Sequence, residues 1–170
     1  SYAMPSNSGK SRFTIDLAAY IAYKHNKKVL IVSNEMSEEK MKLCLITTIV
    51  NNKEIQKLHG HKLRISEGEI LEFKYKPDEN SNVETDEYGY VLRKENEELA
   101  NFTKRLLENS TQFKEVIEVT KWIQEQKENQ IFFVNITDHT NDELEKIILN
   151  YYYKEKIEYM FYDTLKPDTE

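Results

Sequence analysis

The first fifty positions alternate between helical and extended hydrophobic patterns. Between Ser11 and about His25, small and apolar residues recur at helical spacing and predict one buried helix face. Val29 to Ser33 is a short continuous apolar run, typical of a strand covered on both faces of a parallel sheet. Ser37 then precedes a second amphipathic segment as its N-cap. The predicted buried positions are Ile15, Ala18, Ala19 and Ala22, widened by Leu17 and Ile21, and then Met41, Cys44, Leu45 and Ile49.

The last forty positions repeat this alternation of strand and helix. Ile131 to Thr137 predicts a second buried strand, and the Thr140 to Glu143 sequence is a capping box. The helix that it starts is predicted to run to about Lys156. Ile157 to Asp163 predicts a third strand, which ends in an aspartate. The chain is therefore predicted to be an α/β protein with a mainly parallel central sheet.

Residues 61–110 carry the least informative pattern. Ile70 to Lys76 alternates apolar with polar residues, and Tyr88 to Arg93 does so less regularly, which predicts an exposed antiparallel hairpin. Its aromatic residues beside lysines fit either a stacking surface for single strands or a half-buried strand, and we favour the strand. Two core-facing helices are predicted to follow the hairpin in the chain, from Glu95 to Asn109 and from Phe113 to Gln126.

Composition narrows the class of protein. With 170 residues, 39% hydrophobic and 32% charged, the chain is typical of a single soluble domain. It has no membrane-length apolar run and no signal peptide, so a cytoplasmic location without a membrane partner is expected. Cys44 is the only cysteine, and His59 and His61 are predicted to be surface residues rather than metal ligands. The net charge of −6 disfavours a broad nucleic-acid surface but leaves room for a local basic patch.

Candidate chemistry begins with Gly9, Lys10 and Ser11, the second half of the phosphate-binding pattern G-x-x-x-x-G-K-[ST]. In such a loop, backbone N–H groups surround the β-phosphate at a helix start, the lysine reaches the phosphates and the hydroxyl ligates Mg²⁺. Met4 occupies the position of the first glycine. Residues 1–3 are predicted to be a vector remnant, so that Met4 is a start inside the motif. Taken alone, the triplet also fits a flexible, serine-rich terminus.

Two carboxylates follow predicted strands. Glu35 comes two residues after the first strand, and Asp163 ends the third. Ligands of open parallel sheets bind outside the carboxyl ends of the strands, so both side chains are expected to face a crevice there. Glu35 also fits a residue that merely begins a helix, and Asp163 one that merely begins a turn. Their order after the Gly9 to Ser11 triplet favours the functional interpretation.

The triplet, the helix, the VLIVS strand and the NEMSEEKMKLCL segment at 34–45 together resemble the ATPase domain of DnaB-type replicative helicases, which are RecA-like P-loop ATPases. The resemblance is clearest over residues 5–50 and 129–166 and indistinct over a poorly matched insert at about 61–110. It implies a three-layer RecA-like fold over residues 4–170, incomplete because the first strand and the distal strands are missing.

The resemblance also implies cofactors and roles. ATP and Mg²⁺ are the expected cofactors, with Glu35 orienting the attacking water as the catalytic residue. The resemblance implies that Ser11 and Asp163 bind the Mg²⁺ ion. The residues implied to bind the nucleotide phosphates are Ser8, Gly9, Lys10, Ser11 and Arg12.

The partners implied for the intact protein are single-stranded DNA and further copies of the chain in a ring, which is hexameric in this family. Segments that in this family sense the γ-phosphate, bind DNA or supply an arginine finger come after the Asp163 strand. The 170-residue chain alone is therefore expected to bind ATP weakly or not at all, to be inactive and to self-associate through unpaired strand edges. Another RecA-like ATPase, in recombination or signalling, and a catalytically silent interaction module remain alternatives.

Overall fold

A computed structural model of the chain describes residues 10–137 and 139–163. By its internal contacts the chain forms two compact units, residues 1–48 with 126–170 and residues 49–125. We call them the sheet unit and the helical unit. The predictions for Ser8, Gly9 and the start at Met4 lie outside the described residues. No helix in the described ranges is long and apolar enough to cross a membrane.

The sheet unit contains three parallel strands: β1 (Val29–Ser33), β2 (Ile131–Asn135) and β3 (Tyr159–Asp163). Their order is β2-β1-β3, so β1 is central. Every residue of β1 is buried, because it has a strand on each side and is covered on both faces. All three predicted strands are confirmed, although β3 begins two residues later than predicted. The predicted α/β class with a parallel sheet is therefore correct.

Helix α1 (Lys10–Ala19) continues as a π-helical turn (Tyr20–Lys24), close to the predicted extent. Its predicted inner face is confirmed, since Ile15 and Ala18 are at most 2% exposed. Leu17 is 37% exposed, so the predicted widening of that face is wrong on this side. The next helix, α2 (Glu38–Asn51), starts as predicted after Ser37, whose hydroxyl oxygen accepts a hydrogen bond from the amide of Lys40 (3.2 Å).

Helix α7 (Asn141–Asn150) covers one face of the sheet. Helices α3 to α6 lie between α2 and α7 in the chain and belong to the helical unit. It begins with the predicted capping box: the Glu143 amide donates to Thr140 Oγ1 (3.3 Å), and the Thr140 amide donates to Glu143 Oε2 (2.8 Å). Leu144 packs in a buried cluster with Leu30, Val32, Val134 and Ile157. Burying side chains of this size stabilises a fold by about 1.5–3 kcal/mol each.

The helical unit contains α3 (Lys53–His59), α4 (Glu67–Leu71), α5 (Leu99–Asn109) and α6 (Thr111–Glu125). Helix α3 ends at Gly60, which caps it in the left-handed region (φ 84°), where glycine carries no Cβ penalty. Helices α5 and α6 are also confirmed, although α5 begins four residues later than predicted.

The hairpin predicted over residues 70–93 is wrong. Residues 67–71 form α4, and within the described residues the segment after it makes one isolated antiparallel bridge, between Thr85 and Val91. The physical reason is a second capping box, in which the Glu69 amide donates to Ser66 Oγ and the Ser66 amide donates to Glu69 Oε1. These bonds satisfy amides of a helix start, and this local stabilisation outweighs the strand-like alternation that follows.

Candidate active site

The candidate site lies at the carboxyl ends of β1 and β3. Ser33 and Asp163, the last residues of these strands, are direct neighbours in the parallel register. Glu35 follows β1 after one intervening residue, and Lys10 and Ser11 open α1. The chain thus places Lys10 and Ser11 beside the predicted carboxylates.

Direct contacts join these residues. Ser11 Oγ lies 2.7 Å from Asp163 Oδ2 and 3.3 Å from Glu35 Oε2. Lys10 Nζ lies 3.3 Å from Asp163 Oδ1. Ser11 and Asp163 are 152 positions apart in sequence, and Ser11 and Glu35 are 24 apart. The fold therefore brings together four predicted site residues that come from three separate segments.

The Ser11 hydroxyl cannot satisfy both carboxylates. It carries one hydrogen, and the shorter contact assigns that hydrogen to Asp163. The longer contact to Glu35 Oε2 then has no hydrogen of its own. Two carboxylates thus flank one hydroxyl, an arrangement that is stabilised by positive charge. Lys10 supplies one such charge at Asp163.

Two carboxylate oxygens at this site are buried and accept no hydrogen bond from the described residues, Glu35 Oε1 and Asp163 Oδ1. The Lys10 ammonium attracts Asp163 Oδ1 electrostatically at 3.3 Å but does not make an aligned hydrogen bond to it. Asp163 is only 2% exposed. A buried acceptor without a donor costs about 1–3 kcal/mol, so Glu35 Oε1 in particular marks a place suited to a cation or a donor, while Lys10 offsets part of this cost at Asp163.

The loop that carries Glu35 is held by polar groups at the strand ends. Ser33 Oγ accepts hydrogen bonds from the amides of Glu35 (3.1 Å) and Met36 (3.4 Å). The Asn34 amide donates to the Asp163 carbonyl (3.2 Å), and Asn135 Nδ2 donates to the Met36 carbonyl (2.8 Å). These positioning residues were not predicted. The sequence feature that could have predicted them is a polar residue at the end of an otherwise apolar strand, which is Ser33 in β1 and Asn135 in β2.

The remaining predicted residues are less informative. Ser8 and Gly9 lie outside the described part of the chain, and Arg12 lies on α1 with an exposed side chain. Among the described residues there is no group of three or more His, Cys, Asp or Glu side chains that could hold a metal ion. The candidate site instead offers two carboxylates and a hydroxyl. This oxygen-only set fits Mg²⁺, which takes one or two protein ligands and fills its shell with water and phosphate oxygens.

His59 and His61 are partly buried in the helical unit rather than fully on the surface. His59 Nδ1 accepts the His61 amide (3.2 Å), so the ring proton lies on Nε2, which is 3.1 Å from the Ile49 carbonyl. Burial lowers the pKa of His59, although the bond to Ile49 opposes this shift. Both ring nitrogens of His59 are therefore engaged within the protein.

Comparisons of this chain with protein-family models, with curated proteins and with solved structures gave no match.

Proposed function

We propose that this chain is the nucleotide-binding part of a RecA-like P-loop ATPase, related to the DnaB-type replicative helicases. In the intact protein it binds MgATP and hydrolyses the bond between the β- and γ-phosphates, and this drives the unwinding of DNA by a ring of subunits. The single observation that carries the proposal is the meeting of Ser11 with Glu35 and Asp163 at the carboxyl ends of parallel strands.

This meeting supports the proposal because it links three independent sequence signals. The serine after Gly9 and Lys10, the carboxylate after β1 and the carboxylate that ends β3 have no local reason to contact one another. A P-loop ATPase needs its hydroxyl, its metal-proximal aspartate and its water-orienting glutamate within a few ångströms. Glu35 Oε1, which is buried and accepts no hydrogen bond from the described residues, adds a reason for a cation or a donor to bind here.

Each residue then has a defined role. The Lys10 ammonium exchanges the Asp163 carboxylate for phosphate oxygens of the nucleotide. Ser11 Oγ and Asp163 would hold the Mg²⁺ ion, directly or through its waters. When bound, the ion supplies positive charge that offsets the charge developing on the phosphates. Glu35 orients the attacking water and accepts its proton, since its Oε1 is buried without a competing donor among the described residues.

The experiment compares two substitutions in the full-length gene product. Lys10→Ala should abolish MgATP binding, because it removes the phosphate-binding charge. Glu35→Gln should retain binding and lose at least about a hundredfold in turnover, because it removes only the base that positions water. Titration calorimetry measures binding, and phosphate release measures turnover.

Two exposed residues give matched controls. Glu39→Gln, in the first turn of α2, and Lys104→Ala, on α5, change the same charges away from the candidate site. Both should leave binding and turnover within about twofold of the wild type. Equal loss of ATP binding in Lys10→Ala and Glu35→Gln would contradict the role assigned to Glu35, and unchanged binding in Lys10→Ala would reject the ATP site altogether.

A further inference from the structure

The helical unit contains a cationic groove along one side of α3. The cavity has a volume of about 670 Å³ and lies between α3 and the segment that follows Gly60. Four of its lining side chains are cationic, and among the described residues no acidic side chain lines it. The four cationic residues are Lys53, Lys57, Lys62 and Arg64.

Helical spacing explains how α3 contributes to this groove. Lys53, Lys57 and Gly60 are separated by four and three residues, so they lie on one side of the helix. Gly60 then turns the chain, because its left-handed conformation ends α3. The segment that follows brings Lys62 and Arg64 to the other wall.

Side-chain amides fix the two walls relative to each other. Gln56 Nε2 donates to the carbonyls of Val50 (2.7 Å) and Leu63 (2.9 Å). Asn51 and Ile65 exchange two hydrogen bonds, from Asn51 Nδ2 to the Ile65 carbonyl (2.7 Å) and from the Ile65 amide to Asn51 Oδ1 (3.1 Å). The groove is therefore formed without a ligand, which lowers the entropic cost of binding one.

Most of the positive charge in the groove is uncompensated. Lys57 Nζ pairs with Glu54 Oε1 at 2.8 Å, but both side chains are more than half exposed. Lys53, Lys62 and Arg64 have no ion pair within the described residues. The nearby Glu115 and Glu118 face His61 instead (3.8 and 3.0 Å). In a chain with a net charge of −6, this cluster concentrates positive potential at one place.

We propose that the cationic groove binds the phosphate backbone of a single-stranded nucleic acid. The choice of a nucleic acid over other polyanions rests on the DNA-coupled function proposed above. The volume is within the range of pockets that hold nucleotide-sized ligands and exceeds what one phosphate needs. The lining includes Leu63 but no aromatic side chain among the described residues, so it offers phosphate contacts rather than base stacking. Binding is therefore independent of base sequence and sensitive to salt.

The test measures the binding of a fluorescent oligothymidylate of about twelve nucleotides, within the site sizes that single-strand-binding domains cover, by anisotropy and without ATP. Three to four phosphate contacts predict that log K falls with log salt concentration with a slope of about −2 to −3. The triple variant Lys53→Gln, Lys62→Gln and Arg64→Gln should reduce this slope by about 2 and weaken binding at least about tenfold at low salt.

A second triple variant is the matched control. Lys104→Gln, Lys114→Gln and Lys121→Gln remove the same charge from exposed positions on α5 and α6. This variant should keep the wild-type slope and an affinity within about threefold of the wild type. Circular dichroism should show that both variants remain folded.

Three outcomes would overturn the proposal: no binding by the wild type, equal losses in both triple variants, or displacement of the oligonucleotide by inorganic tripolyphosphate at equal phosphate concentration. Because the assay contains no ATP, a failure here with intact ATP binding rejects the groove alone. A failure of ATP binding with an intact groove rejects only the proposed ATPase site.

Discussion

In the sheet unit, neighbouring strands pair with β1 along its whole length on both sides. Between α4 and α5 of the helical unit, the described backbone has a single bridge, Thr85 with Val91. Beside single backbone hydrogen bonds and the packing of the buried Tyr75 on Phe113, polar side chains hold the chain there: Ser110 Oγ donates to the Lys76 carbonyl (2.7 Å), and Arg105 Nη2 donates to the Leu92 carbonyl (2.8 Å). A continuous strand ladder therefore fixes one region, whereas the other depends more on single hydrogen bonds.

This contrast determines how each region should respond to mutation. A region held by a ladder and an apolar core loses stability through cavities, whereas a region held by single polar bonds loses stability through unsatisfied donors and acceptors. The three substitutions below test this difference in order of decreasing effect.

The largest effect is expected for Leu30→Ala in β1. Leu30 is 1% exposed and packs between the sheet and α7, so its truncation should cost about 2–5 kcal/mol in the free energy of unfolding. Leu149→Ala on α7, where the side chain is 45% exposed, is the control and should change stability by less than about 1 kcal/mol. Urea unfolding followed by far-UV circular dichroism measures both. Equal effects at the two positions would contradict the buried core.

A smaller effect is expected for Ser110→Ala in the helical unit. Ser110 is fully buried, and its hydroxyl also accepts the Phe113 amide (3.2 Å) at the start of α6. Removing it leaves the Lys76 carbonyl unsatisfied and should cost about 1–3 kcal/mol. Thr111→Ala at the neighbouring exposed position should cost less than about 0.5 kcal/mol.

Hydrogen exchange shows whether the loss in Ser110→Ala is local. The amide of Asp78, which donates to the Asn109 carbonyl (2.8 Å), and that of Val91, which donates to the Tyr75 carbonyl (2.9 Å), should exchange faster. The amides of β1 should keep their wild-type rates. A uniform acceleration in both units would contradict the difference in how the two regions are held.

The smallest effect is expected for the pH dependence of the helical unit. Burial lowers the pKa of His59, so the fold favours the neutral ring. Its contribution to stability is complete above the ordinary histidine pKa of about 6.5 and is lost as pH falls through the lowered pKa of His59. Urea unfolding at about pH 7.5 and about pH 5.5 should therefore show lower stability in acid.

The fluorescence of Trp122, whose ring lies 5.8 Å from that of His59, reports on this unit. His59→Gln should reduce the difference between the two pH values, since its side chain does not titrate. The exposed His25→Gln variant should retain the wild-type difference. If His59→Gln shows the same difference in stability between the two pH values as the wild type, the pH dependence comes from another titratable group and the prediction is wrong.

The same contrast explains what the sequence predicts. Continuous and helical apolar patterns identified β1 and α1 because these elements bury a whole strand and a whole helix face, and they identified β2 although only Ile131 and Val134 of that strand are buried. The hairpin prediction failed because the capping box of Ser66 and Glu69 is a polar signal that a hydrophobic pattern does not register. The cationic groove could likewise not be predicted from the net charge of −6, because a net charge does not show which charged residues lie close together in the fold.

The candidate site shows the same limit. Glu35 and Asp163 could be proposed from the sequence because each follows a predicted strand. The ion pair of Lys10 with Asp163 and the hydrogen bonds of Ser33 to the Glu35 loop could not, because they depend on strand order and register. Such contacts are set by tertiary packing rather than by local pattern.

The position of β3 also has a consequence for how the protein is made. Ser11 meets Asp163 across 152 positions, so a ribosome has released the start of α1 long before the aspartate is synthesised. Closing so long a loop is entropically costly and slow compared with forming the local helices. The nascent chain therefore carries Lys10, Ser11 and Glu35 without Asp163 until β3 is synthesised, and the candidate site is completed only after that point.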